Sequence, residues 1–210
     1  MKTFDIITEA DARVLQHGET VTLSRRGHVT PLALDTLRER RITVLREGSA
    51  SAEELQLAPP AEIRRVAIAS DHTGVTLRRD LVGWLRGRGL DVADHGVDGS
   101  DPVDYPDVAA LVARAVVRGE AEAGIVIDGA GIGSAIAANK IRGIRAAMAT
   151  TETIARYSRE HNGANVLTLG ASLITPDEAR IIVAAFLGTA MREPRYIRRL
   201  SKIRDLEQQS

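Results

Sequence analysis

Behind the apolar run Ile125 to Ile127 stands Asp128-Gly129-Ala130-Gly131-Ile132-Gly133-Ser134, a carboxylate followed by glycines at alternate positions. Glycines spaced this way let the backbone turn tightly and aim amide N–H groups at an oxyanion, with a helix N-terminus behind them. That chemistry suits a phosphate or an enolate oxygen, and Asp128 stands within reach of whatever is bound. The plainer alternatives are a tight strand-to-helix turn for Gly129, Gly131 and Gly133, and a helix cap for Asp128. A dinucleotide fingerprint would need glycine at Ser134, and a phosphate-binding P-loop would need a Gly-Lys-Ser/Thr ending, so neither is present.

Other chemistry-bearing groups fall at the ends of apolar runs. Ser70-Asp71-His72-Thr73-Gly74 follows the first such run after residue 60, and His161-Asn162 precedes the last. Tyr105, in Asp104-Tyr105-Pro106-Asp107, is placed to cover a ligand or simply to pack before a proline turn. Arg195 and Arg199 are four apart on a helical stretch, share a face, and together can grip a phosphate; the alternative is a solvated basic face, since Arg192, Arg198, Lys202 and Arg204 are close by. His17, His28 and His95 have no polar context that singles them out, and no His/Asp/Glu spacing matches a metal site, so none is predicted.

The elements that must position these groups read as alternating strands and helices. Strands are predicted at Val66 to Ser70, Leu90 to Ala93, Gly124 to Ile127, Ile144 to Ala149 and Val166 to Leu169. Helices are predicted near 74–87, 107–118, 134–141, 152–160, 176–188 and 195–207. The pattern implies a parallel sheet wrapped on both faces, with the ligand site beyond the carboxyl ends of its strands. All the polar groups named above are expected to gather at that one edge.

Residues 1–46 read as a small α+β module. Thr8 caps a short helix ending near Gly18, Glu19 to Ser24 alternates as a strand, Thr30 and Pro31 open a helix to Arg40, and Ile42 to Leu45 is a strand. Residues 47–63, rich in Ala, Ser, Glu and Pro, read as a linker, which leaves 64–210 as the larger domain.

In 210 residues, 28 basic side chains balance 28 acidic ones and aromatics are 3%, which argues against nucleic acid as a partner. The absence of Cys removes disulfides, thiolate metal sites and a cysteine nucleophile, and fits a reducing compartment. No apolar run approaches the ~20 residues of a membrane span, and acids interrupt the start of the chain, so a cytoplasmic location is expected.

The strings IVIDGAGIGSAIAANKIRGIRAAMA and ARYSREHNGANVLTLGAS, with SDHTG and VDYPDVA before them, resemble the type B ribose-5-phosphate isomerase family, which includes galactose-6-phosphate isomerase. The resemblance covers about residues 65 to 205. It implies a Rossmann-like α/β/α sandwich with a five-stranded parallel sheet and a metal-independent, cofactor-free aldose–ketose isomerase working through a cis-enediolate. The implied substrate is a phosphorylated sugar, ribose 5-phosphate first. It also implies a homodimer or tetramer with sites completed at the subunit interface. Carried over by position, Asp128 is the base, Asp71 and Tyr105 meet the sugar, and His72, Arg195 and Arg199 hold the phosphate. The amides from Gly129 through Gly131 and Gly133 to Ser134 stabilise the enediolate, and His161 with Asn162 opens the ring.

Three positions depart from the family. Asp128 stands where cysteine is common, Ala130 where a hydroxyl is usual, and Ser172 where many members carry arginine. These departures motivate a competing expectation, a sugar-phosphate-binding protein of the same fold without the chemistry. Before the catalytic unit, ITEADAR and VTPLALDTLRERRITVL are similar to short segments of bacterial microcompartment proteins. That similarity implies a docking module toward a shell or cargo, with a structural appendage as the alternative.

Overall fold

The protein, seen here as a computed structural model, is described over residues 2–47, 56–98 and 102–209. Its chain forms two compact units, Met1–Leu55 and Gln56–Ser210. Much of the expected linker, residues 48–55, lies outside the described residues. Residues 56–63 belong to the second unit, where the Leu57 and Pro60 carbonyls accept hydrogen bonds from Arg145 and Arg159.

In the first unit, β1 (Thr3–Ile7), α1 (Glu9–Val14), β2 (Thr20–Val29), α2 (Pro31–Glu39) and β3 (Thr43–Arg46) build a parallel sheet of order β1-β2-β3. Thr8 and Asp11 cap α1 reciprocally: the Asp11 amide donates to the Thr8 hydroxyl at 3.3 Å and the Thr8 amide to the Asp11 carboxylate at 2.9 Å. Thr30 caps α2 by accepting from the Ala33 amide at 3.4 Å, with Pro31 in the first turn. Three details differ from the sequence expectation. α1 stops at Val14, because Leu15 turns extended and drops into the core at 1% exposure. β2 continues past Ser24 to Val29, because its pairing with β1 resumes at His28 and Val29 after an irregularity in register. Strand β1 was not expected at all; its Thr-Phe-Asp-Ile-Ile string lacks a clean alternation and is held by its neighbour.

The second unit runs β4 (Arg65–Ser70), α3 (Val75–Gly87), β5 (Asp91–Asp94), α4 (Tyr105–Val117), β6 (Ala123–Asp128), α5 (Ile132–Ala138), β7 (Ala146–Met148), α6 (Glu152–Asn162), β8 (Val166–Gly170), α7 (Pro176–Gly188) and α8 (Pro194–Gln208). Its five strands are all parallel, in the order β5-β4-β6-β8-β7. The two faces of the sheet differ in side-chain size. Ile68, Ile125, Ile127, Leu167 and Leu169 pack under Leu81, Leu85, Ile182 and Phe186 of α3 and α7. On the other face Ala67, Ala69 and Val126 meet Val108, Val112 and Ala113 of α4. Gly124 belongs to this second face, where a Cβ would lie 2.5 Å from the Val112 side chain, so small strand residues allow α4 to approach closely.

The strand order reverses at β4. β5 lies on one side of it and β6 on the other, so the crevice of an open parallel sheet falls between the carboxyl ends of β4 and β6. Asp71 follows β4 and Asp128 ends β6. No helix among the described residues is long and apolar enough to cross a membrane.

Candidate active site

At this switch point the Asp71 amide donates to the Ile127 carbonyl at 3.1 Å, stitching the two strand ends together. Asp71 is 6% exposed. Its Oδ1 accepts from the Thr73 amide at 2.9 Å, the Thr73 hydroxyl at 2.6 Å and the Gly74 amide at 3.2 Å, while Oδ2 has no partner among the described residues. His72 is exposed beside it and its Nδ1 accepts from the Val103 amide at 3.4 Å, which leaves the proton of the neutral ring on Nε2. Across the crevice, the Tyr105 ring lies against the glycine loop. A Cβ at Gly133 would stand 2.7 Å from ring atoms, so only glycine permits this contact.

The glycine loop folds onto its own carboxylate. Asp128 is 4% exposed. Its Oδ1 accepts from the amides of Ala130, at 2.8 Å, and Gly131, and its Oδ2 from the Ser134 amide at 2.9 Å. Gly131 takes a φ of 78°, a left-handed turn that a side chain would strain, and a Cβ there would meet the Leu169–Gly170 backbone. Burial pushes the Asp128 pKa up, but the donors that Ser134, Gly131 and Ala130 present to it together outweigh burial and hold the carboxyl below the ordinary value. The capping alternative for Asp128 is therefore realised in the structure, and part of the expected oxyanion cradle is spent on this carboxylate. The amides of Ile132 and Gly133, the first two of α5, have no acceptor among the described residues.

The expectation that all polar groups share one edge is corrected by the path of α6. That helix starts just after β7 and ends just before β8, and its eleven residues span about 16 Å. His161 and Asn162 in its last turn therefore stand at the opposite, amino-terminal edge, where the Gly163 carbonyl accepts from Arg145 Nε at 2.7 Å. Arg195 and Arg199 are gathered there as well. The His161 ring stacks on Tyr157 at 4.5 Å between centroids and meets Tyr196 at 4.6 Å. The Arg195 and Arg199 guanidiniums lie 4.6 and 5.4 Å from the Tyr196 ring. One chain thus carries two separate clusters of the expected residues: Asp71, His72, Tyr105 and the Asp128 loop at one edge, and His161, Asn162, Arg195 and Arg199 at the other.

The sequence of this unit matches the family described as Ribose/Galactose Isomerase over residues 66–203. The chain belongs to the ribose/galactose isomerase family. Ribose-5-phosphate isomerase B of Escherichia coli strain K12 is 40% identical over 146 residues, covering 70% of this chain and 98% of the relative. Among solved structures, ribose-5-phosphate isomerase B of Clostridium thermocellum is 45% identical with a TM-score of 0.68, covering 69% of this chain and 98% of its own. That of Mycoplasma genitalium with bound ribulose-5-phosphate is 38% identical with a TM-score of 0.67, covering 70% and 97%. The family match leaves the first unit outside it.

The structure also adds residues that the sequence did not single out. Tyr157 and Tyr196 flank His161, but one aromatic on each of two polar helices gives no periodic signal. Arg78 is 1% exposed and reaches the Val97 carbonyl at 2.8 Å and the Asp98 carboxylate at 2.7 Å, which holds these two residues just after β5. Its only sequence trace is a charged residue at a position that the apolar period of α3 assigns to the core.

Proposed function

We propose that this ribose/galactose isomerase interconverts a phosphorylated aldose and its ketose, ribose 5-phosphate and ribulose 5-phosphate first among them, through a cis-enediolate without a metal. The observation that supports it most directly is the pairing, at the switch point, of the buried Asp128 carboxylate with the unpartnered amides of Ile132 and Gly133. Asp71 Oδ2 accepts from a sugar hydroxyl and Tyr105 covers the sugar. Asp128 Oδ2, which accepts a single amide, takes the proton from C2 as the electron pair moves toward the carbonyl oxygen. The two free amides stabilise the resulting enediolate oxygen. A proton then passes from O2 to O1, and return of the carboxyl proton to C1 as the O2 electron pair forms the C2 carbonyl completes the ketose.

Ring opening and phosphate binding require the other half-site. Since His161, Asn162, Arg195 and Arg199 lie at the far edge of the same sheet, a second copy of the chain supplies them, with His72 joining the arginines on the phosphate. The activity test is incubation with a panel of aldose phosphates in heavy water. Ketose formation with deuterium at the exchanging carbon supports the reading. Binding without exchange would favour a sugar-phosphate binder, the second reading, which draws on the amide bonds that weaken Asp128 as a base. Arg195→Ala and Arg199→Ala each remove a charge-assisted bond worth about 1.5–3 kcal/mol, so each raises KM roughly ten- to hundredfold. Unchanged kinetics in both would return the pair to a solvated face.

Within this proposal the first unit is a docking module with no part in turnover. A chain beginning at Gln56 keeps the whole second core and most of the activity, as measured by circular dichroism and the same assay. A chain beginning at Ala61 is less stable, because it lacks the Leu57 and Pro60 carbonyls that Arg145 and Arg159 bind at 3.1 and 2.9 Å. Loss of turnover in a folded chain from Gln56 would make the first unit part of the catalytic body.

A further inference from the structure

Every group that the proposed half-site uses at the amino-terminal edge, apart from Asn162, touches one side chain, that of Tyr196. Its ring meets the His161 ring at 4.6 Å with an interplanar angle of 41°. The Arg195 and Arg199 guanidiniums lie 4.6 and 5.4 Å from its centroid, and Arg195 Nη2 donates to its hydroxyl at 2.9 Å. The Glu193 carboxylate also stands within ion-pair range of Arg195, 3.9 Å from Nε. A guanidinium drawn closer onto Glu193 would be further neutralised and turned away from an incoming phosphate. The tyrosine hydroxyl takes one N–H without adding negative charge, and the ring face attracts the cation from its other side. Tyr196 itself has only two side-chain torsions, and its helix is anchored by Ile197 and Leu200, both 2% exposed. On the far side of His161, Tyr157 stacks at 4.5 Å and 20°.

We propose that Tyr196 is a positioning residue that sets the two phosphate-binding arginines and the ring-opening histidine in one geometry, with Tyr157 as the second wall of the histidine slot. The inference rests on the sugar-phosphate reading above. It extends that reading by joining phosphate recognition to ring opening through one ring, so that a bound phosphate and a correctly held imidazole come together.

The two contributions of the tyrosine separate by substitution. Tyr196→Phe keeps all three ring contacts and loses the Arg195 hydrogen bond, so KM and the dissociation constant for inorganic phosphate rise about three- to tenfold while kcat stays within twofold. Tyr196→Leu loses the ring as well, so phosphate binding falls by more than tenfold and kcat falls by a similar factor. In Tyr196→Leu the His161 ring-proton resonances, shielded by the aromatic faces, move downfield, whereas in Tyr196→Phe they hold. Phosphate titration followed by these resonances needs no turnover, so a parent protein without isomerase activity would sink the reaction while leaving the role of Tyr196 decidable. Parental phosphate affinity and unmoved His161 resonances in Tyr196→Leu would overturn the proposal. So would a loss of thermal stability in Tyr196→Phe with KM and kcat unchanged, which would make the tyrosine structural only.

Discussion

Replacing Asp128 by Asn lowers turnover by at least ~10², the usual span for removal of a general base, with a smaller change in KM. Asparagine keeps the oxygen that accepts from Ala130 and Gly131, but it sets an NH2 group against the Ser134 amide, where Oδ2 now accepts at 2.9 Å. Two donors facing each other in a buried turn cost about 1–3 kcal/mol, so the melting temperature also falls, by roughly 2–4 °C per kcal/mol in a unit of this size. Measuring both separates the effects. A variant that melts a few degrees lower yet has lost a hundredfold in kcat has lost its base. Parental turnover would move the base to His161.

The same carboxylate makes an acid-stability prediction. Its folded-state pKa lies below the ordinary 3.8. The stability it contributes is therefore complete above about pH 4 and is lost as pH falls through the lower folded value. Asp128→Asn lacks this labile part, so its melting temperature falls less steeply than that of the parent below pH 4. Parallel curves for the two proteins would mean that the amide bonds around Asp128 contribute nothing to folding. The low pKa also bears on the chemistry. A carboxylate held in its ionised form is present at neutral pH but pulls weakly on a proton, and water expelled by a bound sugar acts to restore basicity.

Much of the second unit was legible because its strands are short apolar runs between longer helical patterns. Val66 to Ser70 and Val166 to Leu169 read as buried parallel strands for that reason, and the structure adds only one residue to each, Arg65 and Gly170. Boundaries moved where a specific group intervened. α4 begins at Tyr105 because Pro106 suits a first turn, and α5 begins at Ile132 because Asp128 caps it through Ser134. β7 shrinks to Ala146–Met148 at the sheet edge, where Asn139 binds the Ala146 amide and carbonyl at 2.8 and 2.9 Å. The residue types of the candidate site could be read from strand ends and from the family resemblance, but their division between two edges could not. A residue at the end of a crossover helix and one at the end of a strand look alike in sequence, yet the helix runs antiparallel to the strands and carries its last turn to the far edge. Tyr196 carries no sequence signal for a related reason: Arg195 and Arg199 share its helix, but His161, which completes the cluster, comes from α6.

Arg159→Ala unfolds or severely destabilises the second unit, with an expected loss of about 3–5 kcal/mol in urea or thermal unfolding. Arg159 has 0% exposure and no carboxylate partner among the described residues. Its guanidinium instead donates to three backbone carbonyls, Ala164 at 2.9 Å, Pro60 at 2.9 Å and Thr189 at 3.3 Å, and lies 5.2 Å from the Phe186 ring centroid. Burial, reinforced by the nearby Arg145, pulls its pKa down to about 10, so it still carries its charge at neutral pH. Two opposed costs meet here: burying an unpaired cation disfavours the fold, whereas orphaning three carbonyls would disfavour it at about 1–3 kcal/mol each. The count of carbonyls decides for the arginine, so stability should fall in the order parent, Arg159→Lys, Arg159→Met, Arg159→Ala. Lysine retains a donor for one or two carbonyls, methionine fills the space with none, and alanine leaves a cavity besides. His161 is two residues further along the same helix, so the lysine variant, still folded, should also lose turnover through a displaced last turn of α6. Arg159→Met as stable as the parent would show that the burial cost of the charge cancels all three bonds, and that the carbonyls find other donors once it is gone.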